Sequence, residues 1–545
     1  SSDVCSSDLI FQYKEDDNNY IDYFFEIGVK PEIFNQKFLY ETSINELNIK
    51  LKPEIISKFP DINKKSIIID NNELINQVFP NGLNILEAKE KPDSIFFSIM
   101  SDNYLFNVTY RYKYFACLMI YESINDYKKL YDLFNNNINT QEEENKNCIN
   151  NFNNLFIPKC LCFVSVHPCI DKFEDILKCI YENMINNKFN EIFLHQLIEE
   201  IVMKIPKIPH GYKRVFINIA ENQIELTENK LNELPSIHIN LRKFFATFKI
   251  NIILEIFKFI LYEGKLIFFS SKIYDLTNII MSFLFLLSPF QYQYQVISIL
   301  PKDKYFFIES DISYIFGINE KYQENFFSDN KLHLKENEVI CIIDLDEKKF
   351  ITIPNQYNIK DYPAIPKHLK EIIENKVQHY YNYLKNESKI NLKEKNNKTE
   401  QVDNKVKEQN EKYQSIFYKF MIAFLSDYPK YLIKSKHFKE NNMNENDINN
   451  MIDINSYLNS INVSEKEFYK KIFKTKSFKE FILKRFNPKN SLEKIEAIFF
   501  EEKINENIAD NKVFGKNKIK EQNKLLLSKE YDYISEPEII DLSIQ

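Results

Sequence analysis

The residues best suited to metal or thiol chemistry lie together: Cys160, Cys162, His167, Cys169 and Cys179. Zinc takes tetrahedral thiolate and imidazole ligands. The CxC pair, if on a strand, points both thiols to one face. The surrounding sequence is apolar, however, and unoxidised cysteine is among the most buried residue types. Small buried hydrophobes are therefore the favoured reading, and no metal is expected. A catalytic thiol needs a histidine to orient it, but His167 precedes Pro168, a turn dipeptide, and no third group can be identified. His195, His210, His238, His333, His368, His379 and His437 form no HExxH pair. Asp344 and Asp346 would share one side of a strand and could hold Mg²⁺. Acidic residues closing a strand as turn acceptors are commoner, and that reading is favoured. No constellation argues for covalent chemistry, and no cofactor is expected.

Glycine narrows the field further. The chain has 545 residues and six glycines, where ordinary usage of about 7% would give nearly forty. They are Gly28, Gly82, Gly211, Gly264, Gly317 and Gly515, no two close enough to share a loop. Dinucleotide and phosphate loops and the GxSxG elbow all need neighbouring glycines for positive φ and close backbone approach, so they are excluded. A net charge of −7 argues against general nucleic-acid binding, which favours a basic footprint. The longest apolar run, Ile279 to Leu287, falls short of the roughly 18 residues that span a bilayer. No transmembrane segment is expected, and membrane contact would be peripheral. Scattered cysteines and no signal-peptide pattern fit a reducing, cytoplasmic setting. Ser1–Leu9 (SSDVCSSDL) reads as translated adapter sequence and is set aside.

The elements that must carry these residues follow from periodicity. Tyr20–Val29, Ile95–Met100 and Phe106–Glu122 read as strands, the last two as a hairpin. Asp70–Val78 leads into a turn at Phe79–Gly82. Leu161–Ser165, Val215–Ile219, Lys265–Phe269, Val296–Leu300 and Val339–Leu345 read as strands. Lys172–Asn186, Asn190–Lys204, Phe244–Tyr262 and Tyr274–Leu287 read as helices. Strands alternating with helices indicate an α/β sheet. Ser415–Ile433, Glu465–Phe473, Ser477–Phe486 and Ser491–Ile504 are amphipathic, so the last region reads as mostly α. Asn135–Asn154, Lys385–Lys412 and Lys439–Asn450 are too polar to offset ordering entropy and read as linkers.

A set of short motifs in fixed order carries a resemblance. Ile157–Ser165 with His167-Pro168, Ile205-Pro206, Ile208–Gly211, Tyr262–Ser271, Leu276-Thr277, Leu287–Gln293, Ile299–Pro301 and Tyr314–Ile318 resemble a DENN domain. Tyr23–Gly28, Phe59-Pro60, Phe79–Leu83 and Phe96-Phe97 resemble the upstream module of such proteins. Asp344–Asp346, Phe420–Tyr431 and Phe478–Ile482 resemble the downstream one. Tyr292 stands where the family usually has Trp, Ser313 where it has Pro, and Lys476 where it often has Gln.

The resemblance implies an α/β plus all-α tripartite protein. Its parts are a longin-like upstream module over 10–134, a linker over 135–154, a central module of mixed sheet flanked by helices over 155–335, and a helical downstream module over 336–510. A disordered insertion at 385–412 and a tail at 511–545 complete it. The implied function is guanine-nucleotide exchange on a Rab-type small GTPase in vesicle trafficking, by a cytoplasmic protein recruited to membranes. Exchange needs no metal or glycine loop of the factor's own. A scaffold that binds a GTPase without exchange, or a GTPase-activating relative with a catalytic arginine among Arg111, Arg214, Arg242 and Arg485, are the alternatives. Motif residues expected to be mostly structural are Gly82, Pro158, Ser165, Glu263, Ser270, Ser271, Leu276, Pro289, Pro301, Gly317, Asp344 and Asp346. GTPase contacts are expected between the upstream and central modules, with individual residues unassigned.

Overall fold

The structure is a computed structural model. It describes residues 19–30, 33, 51–61, 69–83, 85–87, 94–101, 112–124, 155–167, 170–185, 191–206, 214–227, 234, 239, 241–335, 338–354, 361–377, 399–433, 448–488, 491–511 and 538–541. The 1–9 segment, the 135–154 linker, Ile208–Gly211 and the first part of the 385–412 insertion lie outside these residues. The described residues group into two compact units, one drawn from Ser1–Ser98, Lys113–Glu228 and Tyr533–Gln545, the other from Ile99–Tyr112 and Asn229–Asp532.

The first unit is built on β1 (Tyr23–Gly28) and β2 (Glu54–Phe59). Helix α1 (Asn71–Val78) follows, then β3 (Leu86–Glu87), β4 (Ser94–Ser101), β5 (Tyr112–Ser123) and β6 (Leu155–Ser165). Every residue of β1 is buried, Glu26 among them, so apolar residues occupy both faces of the strand instead of alternating with polar ones. It pairs antiparallel with β2 on one side and β6 on the other, and β5 continues the order beyond β6. Asp70 explains why α1 starts where it does: its carboxylate accepts from the amides of Asn72 and Glu73, satisfying donors a helix start leaves open. Helix α2 (Ile170–Ile185) packs against β8 (Asn222–Thr227), and α3 (Glu191–Lys204) against β1. Strand β7 (Arg214–Ile219) pairs with β8 through a tight turn at Ala220, which sits at φ 52°.

The second unit opens with two helices where one was expected. The run Phe244–Tyr262 is broken into α4 (Leu241–Thr247) and α5 (Ile250–Leu261) by an extended Lys249. The Thr247 hydroxyl donates to the Lys243 carbonyl within the last turn of α4. Then come β9 (Lys265–Phe269), α6 (Ile273–Leu286), β10 (Gln295–Ile297), β11 (Tyr314–Ile318), β12 (Ile340–Asp344) and β13 (Lys349–Ile353). Strands β12, β9, β11 and β10 are parallel in that order, with β13 antiparallel on the β12 edge. Met100, in the end of β4 that belongs to this unit, bridges Ile297. The expected strand Val296–Leu300 is thus only its first half, because Leu300 turns to donate its amide to Gly317. Strands β8 and β13 were not foreseen: each is short and half exposed.

Helices after β13 include α7 (Thr399–Phe424), α8 (Ile454–Ser460), α9 (Lys466–Ile472), α10 (Lys476–Phe486) and α11 (Ser491–Asn511). The insertion expected to be unstructured over 385–412 is helical from Thr399. Its Lys, Glu and Gln residues are good helix formers, the Glu408–Lys412 pair is an i,i+4 ion pair, and Gln409 and Asn410 are already buried. Asparagine-rich composition hid a helix whose apolar face begins at Tyr413.

Candidate functional site

The carboxyl end of β9 gathers four of the motif residues. The Ser270 hydroxyl donates to Asp346 Oδ1 (2.8 Å), and the Ser271 amide to Asp346 Oδ2 (2.9 Å). Ser270 Oγ also accepts from the Lys272 amide ahead of α6 (3.0 Å), and its carbonyl accepts from Asn319 Nδ2 beyond β11 (3.0 Å). Asp344 Oδ1 accepts from the amides of Asp346 and Glu347, both at 3.0 Å. Of two carboxylates that could have faced a cation, Asp346 ties the end of β12 to that of β9 and Asp344 closes its own turn, while Asn319 ties the end of β11 to Ser270. In open α/β sheets this carboxyl edge is where ligands bind; here its polar groups hold the loops in place.

Burial pushes the Asp346 carboxyl up, but the bonds from Ser271 and Ser270 together outweigh it and hold it below the usual aspartate value. A folded-state value below the unfolded one adds stability above the ordinary aspartate pKa, lost as pH falls through the lowered value. Asp346 is largely solvated, so the term is under about 1 kcal/mol. Asp346→Asn should therefore be less stable than the parent at neutral pH. The gap should narrow between about pH 5 and pH 3, measured by urea midpoints. A gap independent of pH would show that the charge is not what the serines hold.

At the other end of β9, Glu263 sits at φ 53°, a conformation uncommon outside glycine. Its buried carboxylate accepts from the Lys476 amide (2.9 Å), the Ser477 amide (2.6 Å) and the Ser477 hydroxyl (2.6 Å). It thus caps α10 from outside the helix, where negative charge is favoured. Burial pushes its pKa up against the pull of these donors. Lys476, where the family often has Gln, contributes its backbone here.

The other motif residues are dispersed. The Ser165 hydroxyl donates to the Tyr20 carbonyl (2.7 Å) and accepts from the His167 amide (3.0 Å). Gly82 turns the chain at φ 75°. Pro158 is opposite Tyr121 in β5, between the stretches of β6 that pair with β1 and with β3. A residue without an N–H is tolerated in such a gap. Leu276 is buried in α6, Pro289 follows that helix, and Pro301 opens a short 3₁₀ turn. Gly317 faces the Ser298 carbonyl. Tyr292, standing for Trp, is buried and donates from its hydroxyl to the Gly264 carbonyl (3.3 Å).

Cys160 and Cys162 stay together on β6, both against Cys117 of β5, and Cys179 lies apart. Cys162 is opposite Cys117 across β5 and β6, sulfurs 3.6 Å apart. Cys179 lies on α2, its sulfur accepting from Asn222 (3.2 Å). Burial pushes all of them up, away from thiolate. Cys169 is outside the described residues. Among the described residues no group of His, Cys, Asp and Glu is arranged to hold a metal.

Sequence reasoning missed one polar cluster. Glu26, buried in the middle of β1, pairs with Lys159 of β6 and accepts from Ser57 Oγ of β2 (2.9 Å), with His195 of α3 at 4.0 Å. A lone charge inside YFFEIG and another inside IPKCLC were the available signals, but only the β1–β6 register brings them together.

A family model described as the DENN (AEX-3) domain matches residues 156–348. That stretch runs from β6 to just beyond β12 and holds Glu263, Ser270, Ser271, Gly317, Asp344 and Asp346. The chain contains a DENN domain. Two relatives agree with the assignment. DENN domain-containing protein 3 of Mus musculus is 25% identical over 226 residues, covering 41% of this chain and 17% of the relative. A DENN domain-containing protein of Schizosaccharomyces pombe is 24% identical over 217 residues, covering 37% of this chain and 22% of the relative. The chain thus spans about a fifth of the length of these relatives. Among the described residues no helix is long and apolar enough to cross a membrane. C-terminal to the DENN domain, the Arg485 guanidinium lies 3.5 Å above the Phe481 ring and donates to the Tyr428 hydroxyl (3.2 Å) and the Phe481 carbonyl (2.9 Å).

Proposed function

We propose that this chain is a guanine-nucleotide exchange factor for a Rab-type small GTPase, acting in membrane trafficking. The observation that carries this is the DENN match over 156–348, with the family's motifs in their order on both sides of it. The wider reading is tripartite: a longin-like upstream module over 10–134, the central module over 155–335 and a helical downstream module over 336–510. The upstream and central modules together grip the GTPase switch regions. The factor is cytoplasmic and reaches its membrane through peripheral recruitment.

Exchange is catalysis by differential binding. The factor holds the nucleotide-free GTPase more tightly than the loaded one, so it lowers the barrier to GDP release without making or breaking a bond. Such work calls for a rigid scaffold that presents a shaped surface. The serine and aspartate ties at the end of β9 and the Glu263 cap on α10 supply rigidity of that kind.

The test is release of fluorescent GDP from a panel of loaded Rab proteins. One of them should lose nucleotide about tenfold faster or more in the presence of the chain. No acceleration across the panel would sink exchange; retention of a nucleotide-free Rab on the immobilised chain would then identify a scaffold. Accelerated GTP hydrolysis lost on replacing Arg111, Arg214 or Arg242 would identify an activating protein. Arg485, engaged with Phe481 and Tyr428, is poorly suited to that role.

A further inference from the structure

Strand β7 carries a feature that exchange does not use. Its hairpin with β8 is complete in itself, with register from Arg214–Thr227 to Ile219–Asn222 and a local turn. Val215, Ile217 and Ile219 are fully buried, so the strand is fixed from beneath. On its second edge lies β14 (Glu538–Asp541), from the far end of the sequence. It runs parallel to β7, pairing Glu538 with Val215, Ile539 with Phe216, Ile540 with Ile217 and Asp541 with Asn218. Among the described residues β14 is the strand on that side of β7.

A strand edge of this kind presents a row of N–H and C=O groups, a template for any extended chain. Binding by strand addition draws affinity from the main chain and selectivity from alternate side chains. The hairpin forms the edge without the tail, and a four-residue ladder is short enough to exchange. Ile540 is partly exposed, and the backbone pairing is the contact the ladder shows.

We propose that the outer edge of β7 is a strand-addition site for a short extended peptide, aliphatic in the middle and acidic at both ends, and that the chain's own Glu538–Asp541 occupies it as a built-in ligand. A partner segment of the same chemistry would bind by displacing the tail. Because the tail is tethered, it competes at an effective concentration on the order of millimolar, and free peptide at micromolar levels should not enter.

The experiment uses the full chain and a fluorescein-labelled peptide of residues 533–545. In a parallel ladder successive residues bond to opposite sides. Replacing two neighbours by proline therefore removes at least one amide bonded to β7. Ile539→Pro with Ile540→Pro should open the edge. The expected result is saturable peptide binding to this variant, at least tenfold weaker binding to the parent, and none when the peptide carries the same two prolines. Hydrogen exchange gives an independent reading. Alternate amides within 215–219 should lose protection in the variant and regain it on adding the unsubstituted peptide. The proposal is overturned if the variant keeps its circular dichroism and melting profile but neither binds peptide nor loses protection at β7. Equal binding to parent and variant, or equal binding of the proline peptide, would overturn it too.

Discussion

Gly317→Ala should cost the second unit about 3 kcal/mol or more of stability, a large share of what a domain commonly has. A Cβ built on Gly317 would lie 2.8 Å from the Ser298 carbonyl carbon and closer still to its oxygen, with Ile280 Cδ1 at 3.3 Å. The obstacle is backbone, so no rotamer change relieves it. Neither can the strand move aside: β11 is hydrogen-bonded between β9 and β10, and the Gly317 carbonyl accepts from the Leu300 amide at 2.6 Å. Shaving the third contact with Ile280→Val should not rescue the alanine variant, because the carbonyl remains. Urea denaturation of parent, single and double variants measures this. A loss below 1 kcal/mol, or rescue by the valine, would contradict the geometry.

Phe481→Ala comes next, at about 3–5 kcal/mol. The ring is buried on α10, with centroids 5.2 Å from Tyr428, 5.3 Å from Phe290 and 5.7 Å from Phe500. Arg485 stacks on it, adding a cation–π contact of about 0.5–1 kcal/mol. Alanine removes the meeting point of four segments and leaves a cavity that rings cannot close. Phe481→Leu should recover most of the loss by refilling volume while losing the Arg485 contact. Thermal melts of the three proteins order them parent, leucine, alanine; a leucine variant no better than alanine would show that ring stacking outweighs packing.

How much could be read from sequence depended on how local the cause was. Buried strands such as Lys265–Phe269 and Tyr23–Gly28 announce themselves by concentrated apolar residues around the single charge each carries, and α2, α3 and α6 by their spacing. Of the acidic pair at 344 and 346, Asp344 accepts from the amides of its own turn, at Asp346 and Glu347, whereas Asp346 reaches back to Ser270 and Ser271. Elements whose cause lies elsewhere in the chain stayed hidden. Residues 399–412 look like linker until Tyr413 and Phe417 are seen against Phe245. Helix α4 ends before an extended Lys249, a break that no periodicity reports. The partners of Asp346, Glu263 and Glu26 are set by strand register and helix packing, so the residue types were visible and the pairings were not. Order of motifs along the chain, rather than any one of them, made the DENN resemblance legible.

The cap that Glu263 places on α10 joins positions 214 residues apart. The first turn of that helix is therefore completed only after the chain around β9 has found its place. Closing so long a loop costs little more than closing one half its length, but it must be closed before the contact rewards it. Helices that look in sequence like an appended bundle are thus folded against a sheet laid down much earlier in the chain. They should melt with it in one transition rather than peel away first, and a lesion at residue 263 would be felt as fraying two hundred residues downstream.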